Sequence, residues 1–175
     1  MDRSKSILSK LKSKSKITGN SMQLHIQLLC QEEFLRRLSI SRYKDDFVLK
    51  GGLFIYLVTE FESRPTIDMD FLLRNQSNSN DHIRDMIEEI IDIETGNEFI
   101  EFEILKTETI SVEKKYPGIS IHMIGKVGNT KTPINIDFGV GDIIVPKSEI
   151  RSIKTQLEDF EKVEINTYSL ESTIA

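Results

Sequence analysis

Two aspartates one residue apart interrupt an apolar run. In "TIDMDFLLR", residues 66–74, Asp68 and Asp70 alternate with Ile67, Met69 and Phe71. Side chains alternate across a β-strand, so the apolar residues take one face and both carboxylates the other. Downstream, "INIDF" at 134–138 repeats the pattern, with Ile136 and Phe138 on one side and Asp137 on the other. If the two strands are neighbours in one sheet, their apolar sides share the core and three carboxylates converge on the opposite face. Carboxylates that close raise one another's pKa values. A divalent cation removes the conflict, and hard oxygen ligands suit Mg²⁺ or Mn²⁺. Metal ions held in this way can activate an attacking hydroxyl and stabilise a leaving phosphate. The plain alternative for an Asp-x-Asp pair is a solvated sheet surface.

Upstream, "KGG" at 50–52 separates an apolar run from "LFIYLVTEF". Gly51 and Gly52 at a strand-to-helix turn let backbone N–H groups approach an anion, and the helix N-terminus favours negative charge. Lys50 can add a positive charge there. The plain alternative is an ordinary tight turn with a solvated lysine. No Gly-Lys-Ser/Thr and no G-x-G-x-x-G pattern is present, which argues against P-loop and Rossmann sites.

These residues need elements to hold them. "MQLHIQLLCQEEFLRRLS" (22–39) puts Leu24, Leu28, Leu35 and Leu38 on one helical face, with Asn20 and Gln23 reading as its start. "LFIYLVTEF" (53–61) reads as a second helix, and "DHIRDMIEEIIDIE" (81–94), with Ile83, Ile87, Ile90 and Ile91, as a third. Strands are expected at 47–49, 66–74, 98–105, 118–125 and 132–142. In "GISIHMIG", Ile119, Ile121 and Met123 alternate with Ser120, His122 and Ile124. The stretch from Ser148 onward gives no clear pattern. The expected architecture is α+β (α/β layered), a mixed β-sheet of about four to five strands packed with helices.

A chain of 175 residues suits one domain, and 38% hydrophobic with 29% charged residues is a soluble globular composition. There is no apolar run of transmembrane length and no apolar signal core behind the basic N-terminus, so a cytoplasmic protein is expected. Cys30 is the only cysteine, which rules out an internal disulfide. Arg3, Lys5, Lys10, Lys12, Lys14 and Lys16 stand against Asp2, so residues 1–16 carry +5 in a chain of net charge −5. Residues 1–19 read as a basic N-terminal arm ahead of a domain at 20–175. The arm could meet nucleic-acid phosphates, although it lacks aromatic partners for stacking; the alternatives are a soluble tail or the outer face of a terminal helix. His25, His82 and His122 look isolated, Cys30 looks like a buried apolar residue, and the Glu-rich run at 88–103 reads as a solvated face.

"FLRRLSISRYKDDFVLKGGLFIYL", "RPTIDMDFLL" and "INIDFGVGD" together resemble the abortive-infection nucleotidyltransferase toxins of the AbiEii/AbiGii type, within the DNA polymerase beta-like nucleotidyltransferase superfamily. The resemblance runs from about residue 20 to the end. It implies an NTP substrate, Mg²⁺, and transfer of a nucleotidyl group, in related toxins to the 3′ end of tRNA; a cognate antitoxin is a further implied partner. It implies that Asp68 and Asp70 are the metal-binding pair and Asp137 the third carboxylate, which positions or deprotonates the attacking hydroxyl. Lys50, Gly51 and Gly52 match the triphosphate-contacting turn. Arg64 and Thr66 match the segment leading into the pair, with Arg64 either a nucleotide contact or a brace. Asp142 is a weaker candidate that can simply shape a turn. In the family a helical region with a lysine and an Arg-x-Lys-Asp-like motif follows a segment like "YSLESTIA", and no residues here match it. Two functions are therefore expected to compete: an Mg²⁺-dependent nucleotidyltransferase, and a non-catalytic nucleotide-binding or interaction module of the same fold. A haloacid-dehalogenase phosphatase is disfavoured because Leu72 stands where Thr or Val belongs. A glycosyltransferase is disfavoured because residues 1–67 are too helical.

Overall fold

The computed structural model describes residues 2–63, 65–110, 118–139 and 147–169, with the side chain of Ile110 excepted. The chain opens with two helices, α1 (Arg3–Thr18) and α2 (Met22–Ser39). β1 (Phe47–Lys50) leads directly into α3 (Gly51–Val58), and β2 (Asp68–Leu73) is followed by α4 (Asn80–Ile91). Five strands complete the described residues: β3 (Ile100–Ile110), β4 (Gly118–Val127), β5 (Thr130–Gly139), β6 (Ser148–Ile153) and β7 (Val163–Tyr168). All seven strands join one sheet in the order β3-β4-β5-β2-β1-β7-β6. Two strands more than expected come from β6 and β7. Their apolar residues do not alternate cleanly, and Ile150 on the edge strand is exposed. The sheet is mixed: β2 and β5 run parallel, as do β1 and β7, and the remaining pairs are antiparallel.

Local chemistry sets the helices. Ser21, rather than Asn20, caps α2, its hydroxyl accepting from the Leu24 N–H at 3.2 Å. Ser79 caps α4 in the same way through the His82 N–H. Helix α4 shows a single apolar stripe of Ile83, Met86, Ile87 and Ile90. Helix α2 is buried nearly all round because it lies against β4, β5 and β7 and is flanked by α1 and α4. The basic N-terminal segment forms α1, which buries Ile7 and Leu11, one helical turn apart, while Lys10 and Lys14 pair with Asp159 and the Gln156 carbonyl.

The core rests on the apolar sides of the site strands. Phe71 of β2 and Phe138 of β5 stack with centroids 6.1 Å apart, and Phe47 of β1 meets them at 5.5 and 5.2 Å. Phe71 and Phe138 each follow a candidate site residue in sequence, Asp70 and Asp137. The aromatic cluster therefore holds the backbone of Asp70 and Asp137 from behind.

Candidate active site

The β1–α3 turn shows why two glycines stand there. Gly51 has φ +74°, a left-handed conformation, and a Cβ on it would lie 2.5 Å from Asp70 Oδ2. Glycine thus provides both the turn and the room for the carboxylate. A Cβ on Gly52 would press on Thr66 at 3.3 Å, so the start of α3 lies close against the segment leading into β2. Lys50 occupies the N-cap and makes no capping bond with its side chain. Among the described residues no capping side chain claims the first N–H groups of α3, and the positive end of the helix dipole lies beside Asp70.

Strand register then assembles two polar rows on one face of the sheet. Asp70 stands directly opposite Asp137 across the parallel β2–β5 pair and opposite Lys50 across the antiparallel β1–β2 pair. Ser120 faces Asp137, and Glu108 faces Ser120, so one row reads Glu108–Ser120–Asp137–Asp70–Lys50. One step along, the second row reads Lys106–His122–Asn135–Asp68. A β-bulge between Ile104 and Lys106 makes this possible. It inserts Leu105 as an extra residue and flips the following side chains, so that Lys106 and Glu108 share a face with His122 and Ser120.

Hydrogen bonds order these rows. The Ser120 hydroxyl donates to Asp137 Oδ1 at 2.6 Å. His122 Nδ1 lies 3.1 Å from Asn135 Oδ1, and His122 Nε2 lies 3.3 Å from Glu108 Oε1. From the far side of the sheet, buried Gln31 of α2 donates to the carbonyls of Thr66 and Ile67 at 3.2 and 3.1 Å, anchoring the approach to Asp68.

The central carboxylate is the perturbed one. Asp70 is half-buried, and that burial, with Asp137 and then Asp68 beside it, pushes its carboxyl up to about 6; Lys50 acts in the opposite direction. The Lys50 ammonium extends toward β5, where a Cβ on Gly139 would lie 2.9 Å from Nζ. It also lies 5.9 Å from the centre of the Tyr168 ring. The glycine of "IDFG" therefore makes room for the lysine of "KGG".

Among the described residues, no group of three or more His, Cys, Asp and Glu side chains is gathered closely enough to form a ready metal cluster. The three aspartates, Asp70 and Asp137 in one row and Asp68 in the next, form an open set of hard oxygen donors instead of a closed cage. Burial first, and the charges of Asp137 and Asp68 second, raise the Asp70 carboxyl; a divalent cation would relieve the repulsion among the three, so the donor set fits Mg²⁺ or Mn²⁺.

Of the sequence-predicted residues, Lys50, Gly51, Gly52, Thr66, Asp68, Asp70 and Asp137 come together at this face. Arg64 and Asp142 lie outside the described residues. An open cleft of about 580 Å³ borders the site, its lining including Gly52, Ile55, Thr66, Ile67 and Asp68. Ser120, Asn135, Gln31, Gly139 and Tyr168 do not stand out as functional in the sequence, and His122 looks isolated there. Ser120, His122 and Asn135 were visible as the non-core residues of alternating strands. Gln31 is one of three glutamines in α2, and nothing in the sequence separates it from Gln23 and Gln27. Tyr168 gave no signal.

Comparison with solved structures places this sheet and its helices in the nucleotidyltransferase fold. A Helicobacter pylori protein assigned as a nucleotidyltransferase is similar at 14% identity and a TM-score of 0.52, over 88% of this chain and 57% of that one. JHP933 from Helicobacter pylori is similar at 14% identity and a TM-score of 0.53, over 88% and 55%. The chain thus spans a little over half the length of these structures, and at this identity the likeness is one of fold. No curated protein matches the chain. The sequence profile of the nucleotidyl transferase AbiEii toxin family, of the type IV toxin–antitoxin system, matches residues 33–175. The chain belongs to that family.

Proposed function

We propose that this chain is the catalytic unit of a toxin that transfers a nucleoside monophosphate from an NTP to an acceptor hydroxyl, with Mg²⁺ or Mn²⁺ as its cofactor. The observation that carries this reading is the direct pairing of Asp70 with Asp137 across β2 and β5, with Asp68 on the same face and the Gly51 turn beside them. Family membership supports nucleotidyl transfer as the chemistry.

Asp68, Asp70 and Asp137 would hold the metal, which when bound supplies charge neutralisation at the phosphates and acidifies an attacking hydroxyl. The N–H groups at the start of α3 and the Lys50 ammonium attract the triphosphate. Thr66 and Arg64 belong to the segment that leads into the pair, with Arg64 serving as a nucleotide contact or as a brace. Asp137 accepts the hydroxyl proton while the hydroxyl oxygen bonds to the α-phosphorus. The bond from the α-phosphorus to its bridging oxygen breaks, and pyrophosphate leaves. The hydrogen bond from Ser120 holds the Asp137 carboxylate in orientation for that proton.

The acceptor class is RNA, with the tRNA 3′ end the first to test, and a cognate antitoxin is the expected protein partner. The place of action is the cytoplasm; among the described residues, no helix is long and apolar enough to cross a membrane. The test is incubation with each labelled NTP, Mg²⁺ and total bacterial RNA. Label should pass to RNA and be lost in Asp68→Ala and Asp70→Ala. Transfer undiminished in those variants would refute the assignment. NTP binding by calorimetry with no transfer under any condition would instead favour a non-catalytic nucleotide-binding module.

A further inference from the structure

The two sides of the carboxylate row differ in chemistry. On the β1 side lie the start of α3, Gly51 against Asp70 and Gly52 against Thr66. This side offers backbone N–H groups and suits phosphate. On the β4 side lie Ser120, His122 and Asn135, polar groups that follow Asp137 and Asp68 in register, with Glu108 and Lys106 beyond them on β3. In-line displacement at phosphorus requires the attacking and leaving oxygens on opposite sides. If the polyphosphate leaves toward α3, the attacking hydroxyl enters from β4 and β5.

Asn135 is placed to receive it. It is half-buried, sits beside Asp68 in the next strand and lies two residues from Asp137 on the same face. Its Oδ1 is taken by His122 Nδ1 at 3.1 Å, which requires the imidazole to donate from Nδ1. That contact turns the amide NH₂ of Asn135 away from His122. Among the described residues, that NH₂ has no hydrogen-bond partner. It is therefore an oriented neutral donor between two aspartates, where a ribose hydroxyl or a backbone oxygen of an RNA end would find both a donor and an acceptor. Glu108 Oε1 lies 3.3 Å from His122 Nε2, and Nε2 itself makes no hydrogen bond among the described residues.

We propose that Asn135 binds the acceptor nucleoside, with His122 as its positioning residue, so that the β4–β5 side of the face is the acceptor half of the site. This inference rests on the nucleotidyl-transfer reading above. The experiment uses the full chain, a saturating labelled NTP and total bacterial RNA as acceptor, comparing wild type with Asn135→Ala, His122→Ala and His122→Asn. Loss of one oriented hydrogen bond should raise the apparent KM for RNA about 5- to 10-fold in Asn135→Ala and His122→Ala. The KM for NTP should stay within about 2-fold, because the α3 side is untouched. An asparagine amide can stand in for Nδ1, so His122→Asn should recover most of the loss; a purely structural role for His122 would not give this split. An unchanged KM for RNA in Asn135→Ala, or KM values for RNA and NTP rising together, would overturn the inference while leaving nucleotidyl transfer intact. No transfer by the wild-type chain would overturn both.

Discussion

Replacing Asp70 by Asn removes one charge from the centre of the carboxylate row and keeps the side chain's shape. Burial and the neighbouring Asp137 and Asp68 raise the Asp70 carboxyl from 3.8 to about 6. A folded-state pKa above the unfolded one means that folding favours the protonated form. The stabilising contribution is complete below the unfolded pKa of 3.8 and is lost as pH rises through about 6. At about 1.36 kcal/mol per pH unit, that difference corresponds to ~3 kcal/mol. The carboxylate is half open to water, which screens it, so about half, ~1.5 kcal/mol, should be measurable. Asparagine cannot ionise. In chelator at about pH 8, Asp70→Asn should therefore melt higher than wild type by roughly 3–6 °C for a chain of this size. At about pH 4 the two should melt together, because Asp70 is then largely protonated. Thermal melts followed by circular dichroism at several pH values test this directly. Adding Mg²⁺ should raise the melting point of wild type at the higher pH and move the variant far less, closing the gap. An Asp70→Asn protein that is less stable than wild type at about pH 8 in chelator would refute the charge-conflict argument. Equal Mg²⁺ responses would remove Asp70 from the metal site.

Other perturbations follow from the same contacts. Gly51→Ala forces a Cβ into a left-handed turn and onto Asp70 Oδ2, so chemical denaturation should show a loss of about 2–3 kcal/mol and calorimetry a loss of NTP affinity. Ser120→Ala removes the 2.6 Å bond to Asp137 and should slow transfer about 5- to 10-fold in steady-state assays, with NTP affinity unchanged. Glu32 is fully buried and its carboxyl is pushed up to about 8 by that burial, while among the described residues its Oε2 has no hydrogen-bond partner. Folding again favours the protonated form, and the contribution is lost as pH rises through about 8. Glu32→Gln should therefore gain roughly 1–3 kcal/mol over wild type at about pH 9 and little near pH 5, measured by urea denaturation across pH.

Much of the site could be read along the chain because strand alternation is local. "IDMDF" and "INIDF" each separate an acidic from an apolar side wherever their strands end up, since successive side chains must point to opposite faces. The "KGG" break before a helix was legible for the same reason: a left-handed turn strongly favours glycine. The two missed strands were not legible. The edge position of β6 relaxes its pattern, and β7 takes its place only by pairing with β1, more than a hundred residues earlier.

The sequence by itself determined which residues share a strand face and where α2 runs; it set the ends of α3 and α4 only to within about three residues and left α1 as one of several alternatives. Only the tertiary structure decided which faces meet. Parallel pairing of β2 with β5 puts Asp70 opposite Asp137, and a single-residue slip in that register would turn one carboxylate into the core. The bulge at Leu105 turns Lys106 and Glu108 toward the site, Gly139 opens space for Lys50, and His122 gains a partner in Asn135. Each of these depends on long-range strand pairing, set by the summed packing of the core, which no local stretch of the chain encodes.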